Sequence, residues 1–79
     1  MMNVKINSVW QANSKSDFRF MKIIRIERMG VMRFVHAREC NMYGYTFRKR
    51  RTRINMKRFV KLFSPFREEA LEGEVYESS

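Results

Sequence analysis

Seventy-nine residues hold one domain with one small core, and a chain of this size buries only about 60% of its unfolded surface. Cys40 and His36 are the sole members of their types, which excludes an internal disulfide and leaves too few ligands for a structural zinc site. The formal net charge of +9 is unevenly placed, because all 17 Lys and Arg lie at or before Arg67 and residues 68–79 carry five Glu and no base.

The opening segment alternates. Val4, Ile6 and Trp10 share one parity and Lys5, Asn7 and Gln11 the other, which predicts a half-buried strand. Gln11 to Asp17 is polar and turn-rich and reads as a loop. Phe18 to Met29 is the best strand candidate, with Phe18, Phe20, Ile24 and Ile26 on one face and Arg19, Met21, Ile23, Arg25 and Glu27 on the other. Met29-Gly30 supplies a tight turn. Val31 to Cys40 then returns as an antiparallel strand, and Asn41 to Gly44 turns again.

A fourth strand is predicted from Tyr45 to Ile54. Tyr45 and Phe47 share a parity that Ile54 breaks, so a bulge is expected near Arg51-Thr52. The segment after Ile54 admits two readings. Met56, Phe59, Val60 and Phe63 have helical spacing, with Asn55 as a good N-cap. The other reading, slightly favoured, is one tight turn at 55–58 and then a short strand over Phe59–Phe63. Ser64-Pro65 suits the start of a short C-terminal helix over Pro65–Leu71, with Glu68 and Glu69 in its early turns and Gly73 at its end. The chain is therefore one small basic domain over residues 1–72 and an acidic, frayed tail over 73–79.

Strands at short spacing with a turn before the last of them fit a small, partly open β-barrel or a curved sheet of four to five strands with a short C-terminal helix; an antiparallel sheet plus a basic helix at 55–63 is the alternative. The order of features is Val9-Trp10, Asp17 and Arg19 by a loop, Ile23, Ile24 and Ile26, a turn, Val31 to Ala37, and the basic run Arg50 through Phe59. This resembles the short SH3-like barrel proteins of bacteriophages and mobile elements, over about residues 8–63. The resemblance implies a mainly β fold and a phage-type source. It implies no catalytic residue and no particular partner, and the Ser64–Leu71 segment departs from its pattern. The single free thiol points to a reducing compartment, and the expected place is the cytoplasm of a bacterial host.

Charge is the strongest functional signal. Residues 1–67 carry 17 basic groups against Asp17, Glu27 and Glu39, or 17 − 3 = +14, and a body this basic attracts polyanions. The candidate nucleic-acid contacts are Arg48, Lys49, Arg50, Arg51, Arg53, Lys57, Arg58 and Lys61. In a strand, Arg48 and Arg50 point one way and Lys49, Arg51 and Arg53 the other, so the run reads as the protruding, two-sided end of a basic ribbon. The bland alternative is an edge strand kept from aggregating by its charge. Tyr43 and Tyr45, beside Gly44 in a turn, are the candidates for base stacking. Trp10, Phe18, Phe20 and Phe34 are read as core.

No glycine-rich phosphate loop and no nucleophile–base arrangement is evident, His36 has no near carboxylate other than Glu39, and no enzyme activity, metal, cofactor or small-molecule substrate is expected. No run approaches the roughly 18 apolar residues of a membrane span. The second functional reading is a protein-interaction module that docks on a host protein and modulates it, with Met21, Met32, Met42 and Met56 as adaptable anchors. Membrane-surface binding through Asn55–Phe63 is the weakest reading, and open strand edges would allow a homodimer.

Overall fold

In a computed structural model, which describes residues 4–16 and 19–70 apart from the side chains of Arg48 and Lys49, five strands and one helix succeed one another in chain order. These are β1 (Val9–Ala12), β2 (Phe20–Met29), β3 (Met32–Cys40), β4 (Thr46–Asn55), α1 (Met56–Leu62) and β5 (Phe63–Arg67). All pairings are antiparallel, in the order β4-β3-β2-β1-β5. The expected mainly β architecture is present, as an open sheet with β4 and β5 at its edges rather than a closed barrel.

The opening strand begins later than the alternation of Val4, Ile6 and Trp10 predicts. Asn7 has φ 73°, and the Ser8 amide donates to the Lys5 carbonyl at 3.2 Å, so residues 5–8 turn instead of extending. The turn is sealed from within. Ser8 is buried, its Oγ–H donates to the Lys5 carbonyl at 2.5 Å, and it accepts from Trp10 Nε1–H at 3.0 Å. Strand β1 then runs into the stretch expected to be loop, because Gln11 and Ala12 pair with both neighbours or with β5.

The β2–β3 hairpin closes on a two-residue loop, Gly30-Val31, between the paired Met29 and Met32. Gly30 has φ 63° and Val31 is not in the positive-φ region, the pattern of a II′ turn. The register slips by one residue between Ile23 and Arg25. That bulge at Ile24 corrects the expected facing of β2. Met21 and Ile23 are buried on one face, and beyond the bulge Ile26 packs with them, while Phe20 belongs to a cluster on the other face. Period two is kept on each side of Ile24, but its phase is not.

The principal core lies on one face of the sheet: Trp10, Ala12, Met21, Ile23, Val35, Ala37, Phe59 and Phe63. Phe59 is 1% exposed and its ring lies 5.1 Å from that of Trp10 and 4.8 Å from that of Phe63. The helical spacing of Met56, Phe59, Val60 and Phe63 thus has its partner, and α1 is a helix; the favoured strand over Phe59–Phe63 is not formed. Asn55 Oδ1 accepts from the Lys57 amide at 2.9 Å, as an N-cap should. At the other end Asn13 reaches across from the β1–β2 loop. Its Nδ2 donates to the Lys61 carbonyl and its backbone amide to the Leu62 carbonyl, both at 2.9 Å, satisfying groups that a helix end leaves open.

The predicted helix over Pro65–Leu71 is replaced, as far as residue 67, by β5; Leu71 and the acidic tail over 73–79 lie outside the described residues. Competition for β1 decides this. Ala12 pairs with Phe63, Gln11 with Ser64 and Trp10 with Pro65, so the strand covers what would otherwise be an open edge beside the largest buried side chain. Pro65 is tolerated because β5 is itself an edge. A smaller cluster, Val9, Cys40 and Ala70 with Phe20 against it, occupies one end of the opposite face. Gly44, at φ 90°, lets the β3–β4 loop close onto it.

Candidate nucleic-acid interface

The face that α1 leaves uncovered is basic because of strand register. Odd and even residues of β3 separate cleanly, with Val35 and Ala37 buried under α1 and Phe34, His36 and Arg38 directed the other way. Across the sheet, Lys22, Arg38 and Arg51 are cross-strand partners in one row, and Arg25, His36 and Arg53 in the next. Neighbouring strands lie about 4.8 Å apart, so each row sets like groups side by side over roughly 10 Å. Directly opposed like charges cost stability unless an anion offsets them.

One anion is supplied from within. Glu27, among the described residues the one acid on this face of β2–β4, accepts from Arg53 Nε at 3.0 Å and Nη2 at 3.5 Å, and from His36 Nε2 at 2.7 Å. An ionised carboxylate only accepts, so His36 carries its proton on Nε2. The Arg53 guanidinium, with His36 second, holds the Glu27 carboxyl down at about 2. Sequence order alone offers Glu39 as the partner for His36. The register instead sets Glu27 opposite Phe34 and so diagonal to His36, whereas Glu39 pairs with Met21 under the helix side. Phe34, read from sequence as core, is half-buried on the basic face, where the Arg53 guanidinium lies 3.8 Å from its ring centroid. Arg53 is therefore held by a carboxylate and a ring at once.

The residues singled out in the basic run do not form one surface. Arg51 and Arg53 lie on the uncovered sheet face. Lys57, Arg58 and Lys61 are exposed on α1, which packs on the opposite face. Arg50 is exposed in the part of β4 where pairing slips: Arg38 pairs with Arg51 but Cys40 with Thr46, so β4 spends three more residues than β3 between those pairs. The expected irregularity therefore falls between Thr46 and Arg51, just upstream of Arg51-Thr52. Arg48 and Lys49 lie within it, on an outer edge with no neighbouring strand among the described residues.

Tyr43 is 45% exposed and Tyr45 half-buried, their ring centroids 6.2 Å apart. Asn41 Oδ1 shapes their turn by accepting from both backbone amides at 3.0 Å. The Arg67 guanidinium stands 5.9 Å from the Tyr43 ring, so Tyr43 already has a cation beside it.

Sequence patterning does not single out Lys22, Arg25, Arg38 or Phe34. The Gly30 turn is the signal that finds some of them, since counting back from Met29 and Met32 sets Arg25 opposite His36. The same count puts Lys22 opposite Glu39, and only the bulge at Ile24 moves it to Arg38.

Elsewhere, Cys40 is buried, which pushes its thiol up to about 12 and leaves it without thiolate character at neutral pH. Among the described residues there is no group of three or more His, Cys, Asp or Glu placed to hold a metal ion, and no helix long and apolar enough to cross a membrane. The chain matches no protein-family model, no curated protein and no solved structure, so its function is inferred from its own residues.

Proposed function

We propose that this is a small nucleic-acid-binding protein that contacts phosphates through the uncovered sheet face and the adjoining β4 edge, in an accessory or regulatory role. The observation that carries the reading is the pair of cross-strand rows, Lys22–Arg38–Arg51 and Arg25–His36–Arg53. A flat basic face with one internal carboxylate is suited to backbone contact rather than base reading, so the proposal is affinity without strong sequence preference. The two-sided ribbon becomes a one-sided face, with Arg51 and Arg53 in it and Lys57, Arg58 and Lys61 behind it. We also propose that the SH3-like resemblance holds at the level of the strand plan, supported by the short helix just before the last strand; the phage-type source rests on that resemblance alone.

Fluorescence anisotropy on a labelled duplex and a labelled single strand, at several salt concentrations, tests the reading. If about five phosphates are engaged, the log–log slope on duplex DNA should be roughly −4 to −5. Reversing charge on the sheet face (Arg25→Glu with Arg51→Glu) should lower affinity at least tenfold more than reversing it on the helix (Lys57→Glu with Arg58→Glu). Absence of binding at low salt, or equal losses from the two pairs, would overturn it.

A further inference from the structure

The apolar groove between α1 and the tip of the β2–β3 hairpin has no place in polyanion binding. It encloses about 790 Å³ and is lined by Val4, Met32, Met56 and Val60, with the fully exposed Val31 and the exposed Arg33 and Lys57 at its rim. Two of those apolar side chains are presented where a soluble surface would normally carry polar ones. Val31 is 100% exposed and Met32 47%, and the neighbouring Met29 is 57% exposed. An exposed apolar tip on a long hairpin costs solubility unless something covers it.

We infer that this groove docks an acidic, amphipathic segment of a partner protein, seating its apolar side chains between Met32 and Met56 and its carboxylates on Arg33 and Lys57. Three features select that occupant. The lining contains no aromatic ring, so the groove offers nothing on which a base would stack, and its floor offers nothing to a phosphate. Its methionines and valines suit instead an apolar side chain, and methionine adapts to whichever one arrives. The rim charges select for acid. Arg33 is the direct cross-strand partner of Arg28, and neither is ion-paired among the described residues. Two facing guanidiniums are a local cost that a carboxylate would relieve. A second copy of this chain would bring a net charge of +9 to a basic rim, which disfavours it.

Selection of a random linear peptide display library on the folded protein tests the inference. Enriched peptides are expected to combine Asp or Glu with Leu, Ile, Met or Phe. Synthesised singly, they should lose at least tenfold in affinity on Met32→Glu and on Arg33→Glu, while both variants keep the parent emission of Trp10. Val31→Glu, at a position wholly outside the core, provides a third variant whose folding is not in question. Duplex binding by Met32→Glu should match the parent. The inference is overturned by no enrichment above a bare support, by enriched peptides without acidic residues, or by unchanged affinity in all three variants. It is equally overturned if Met32→Glu abolishes self-association in sedimentation, binding to phosphatidylglycerol vesicles, or duplex binding, since each would assign the groove to a different occupant.

Discussion

Replacing Glu27 by Gln should strengthen polyanion binding, and the amount can be worked from the geometry. The carboxylate shares its sheet face with Lys22, Arg25, Arg38, Arg51 and Arg53 and takes both of the described Arg53 hydrogen bonds, at 3.0 and 3.5 Å, as well as the 2.7 Å bond from His36. Held at about 2, it is ionised throughout neutral pH and occupies Arg53 in competition with any phosphate. Gln preserves the shape and one accepting oxygen but removes the charge. Arg53 then becomes available to one further phosphate, while Phe34 still supports its guanidinium at 3.8 Å. One added phosphate contact steepens the log–log salt slope by about 0.9 on duplex DNA. Between 50 and 200 mM salt, the variant's affinity should therefore fall by about 3.5-fold more than the parent's, from a tighter starting value. Anisotropy titrations at four or more salt concentrations read both quantities. In an Arg53→Gln background the same substitution should give no steepening. An unchanged or shallower slope in a folded Glu27→Gln protein would refute the view that Glu27 holds Arg53 back, and with it the role given to the second row.

The same carboxylate governs acid stability. Unfolded, it takes up a proton near 4.5, whereas folded it does so only at about 2, so between those values the unfolded chain binds more protons and stability rises with pH. Urea midpoints of the parent should fall as pH drops from about 4.5 to about 2, and those of Glu27→Gln should fall less; parallel profiles would contradict the assignment. Gly44→Ala should cost about 2–4 kcal/mol, from a Cβ placed at positive φ and from overpacking. That Cβ would stand 2.3 Å from the Ala70 Cβ at φ 90°, so Ala70→Gly should restore part of the loss and not all of it. Urea unfolding monitored by Trp10 fluorescence checks both, and a change under about 0.5 kcal/mol for Gly44→Ala would show that the loop moves freely. Cys40 should react with a thiol reagent at a rate set by opening of the fold; reaction as fast as in urea-unfolded protein would mean its burial is not maintained.

Local signals place the strands well, and pairwise ones do not. Phe20–Met29 and Met32–Cys40 are legible from β-branched and aromatic content and from Gly30, all of which act within a few residues. Asn55 and the spacing of Phe59 and Phe63 announce α1, but spacing alone cannot say that Trp10 waits 5.1 Å from Phe59. The Ser64-Pro65 signature reads as a helix start, and the need of β1 for a second neighbour outweighs it. Ile24 shows the limit most sharply. One bulged residue exchanges the two faces of β2, and with them decides whether Lys22 faces Glu39 or Arg38. The basic face therefore cannot be assembled from the run at Phe47–Phe59, however dense its charge.

The division of labour between the faces reflects how little chain there is. A seven-residue helix covers one side of a five-stranded sheet and no more. The other side must meet water over β2, β3 and β4 apart from the small cluster at Cys40, and it does so with long cationic side chains whose stems shield the strands. Such a surface is basic for a structural reason before it is basic for a functional one. The distinction lies in Glu27. A face built only for solubility would be stabilised by more acids among its cations, as its own opposed charges cost energy. Here, among the described residues, the one carboxylate on this face of β2–β4 pins Arg53 and His36, both in the second row, while Lys22 and Arg51 of the first row stand beyond its bonds. A face kept short of anions is one on which an external polyanion gains most, and the response of Glu27→Gln to salt separates that arrangement from a merely solvated one.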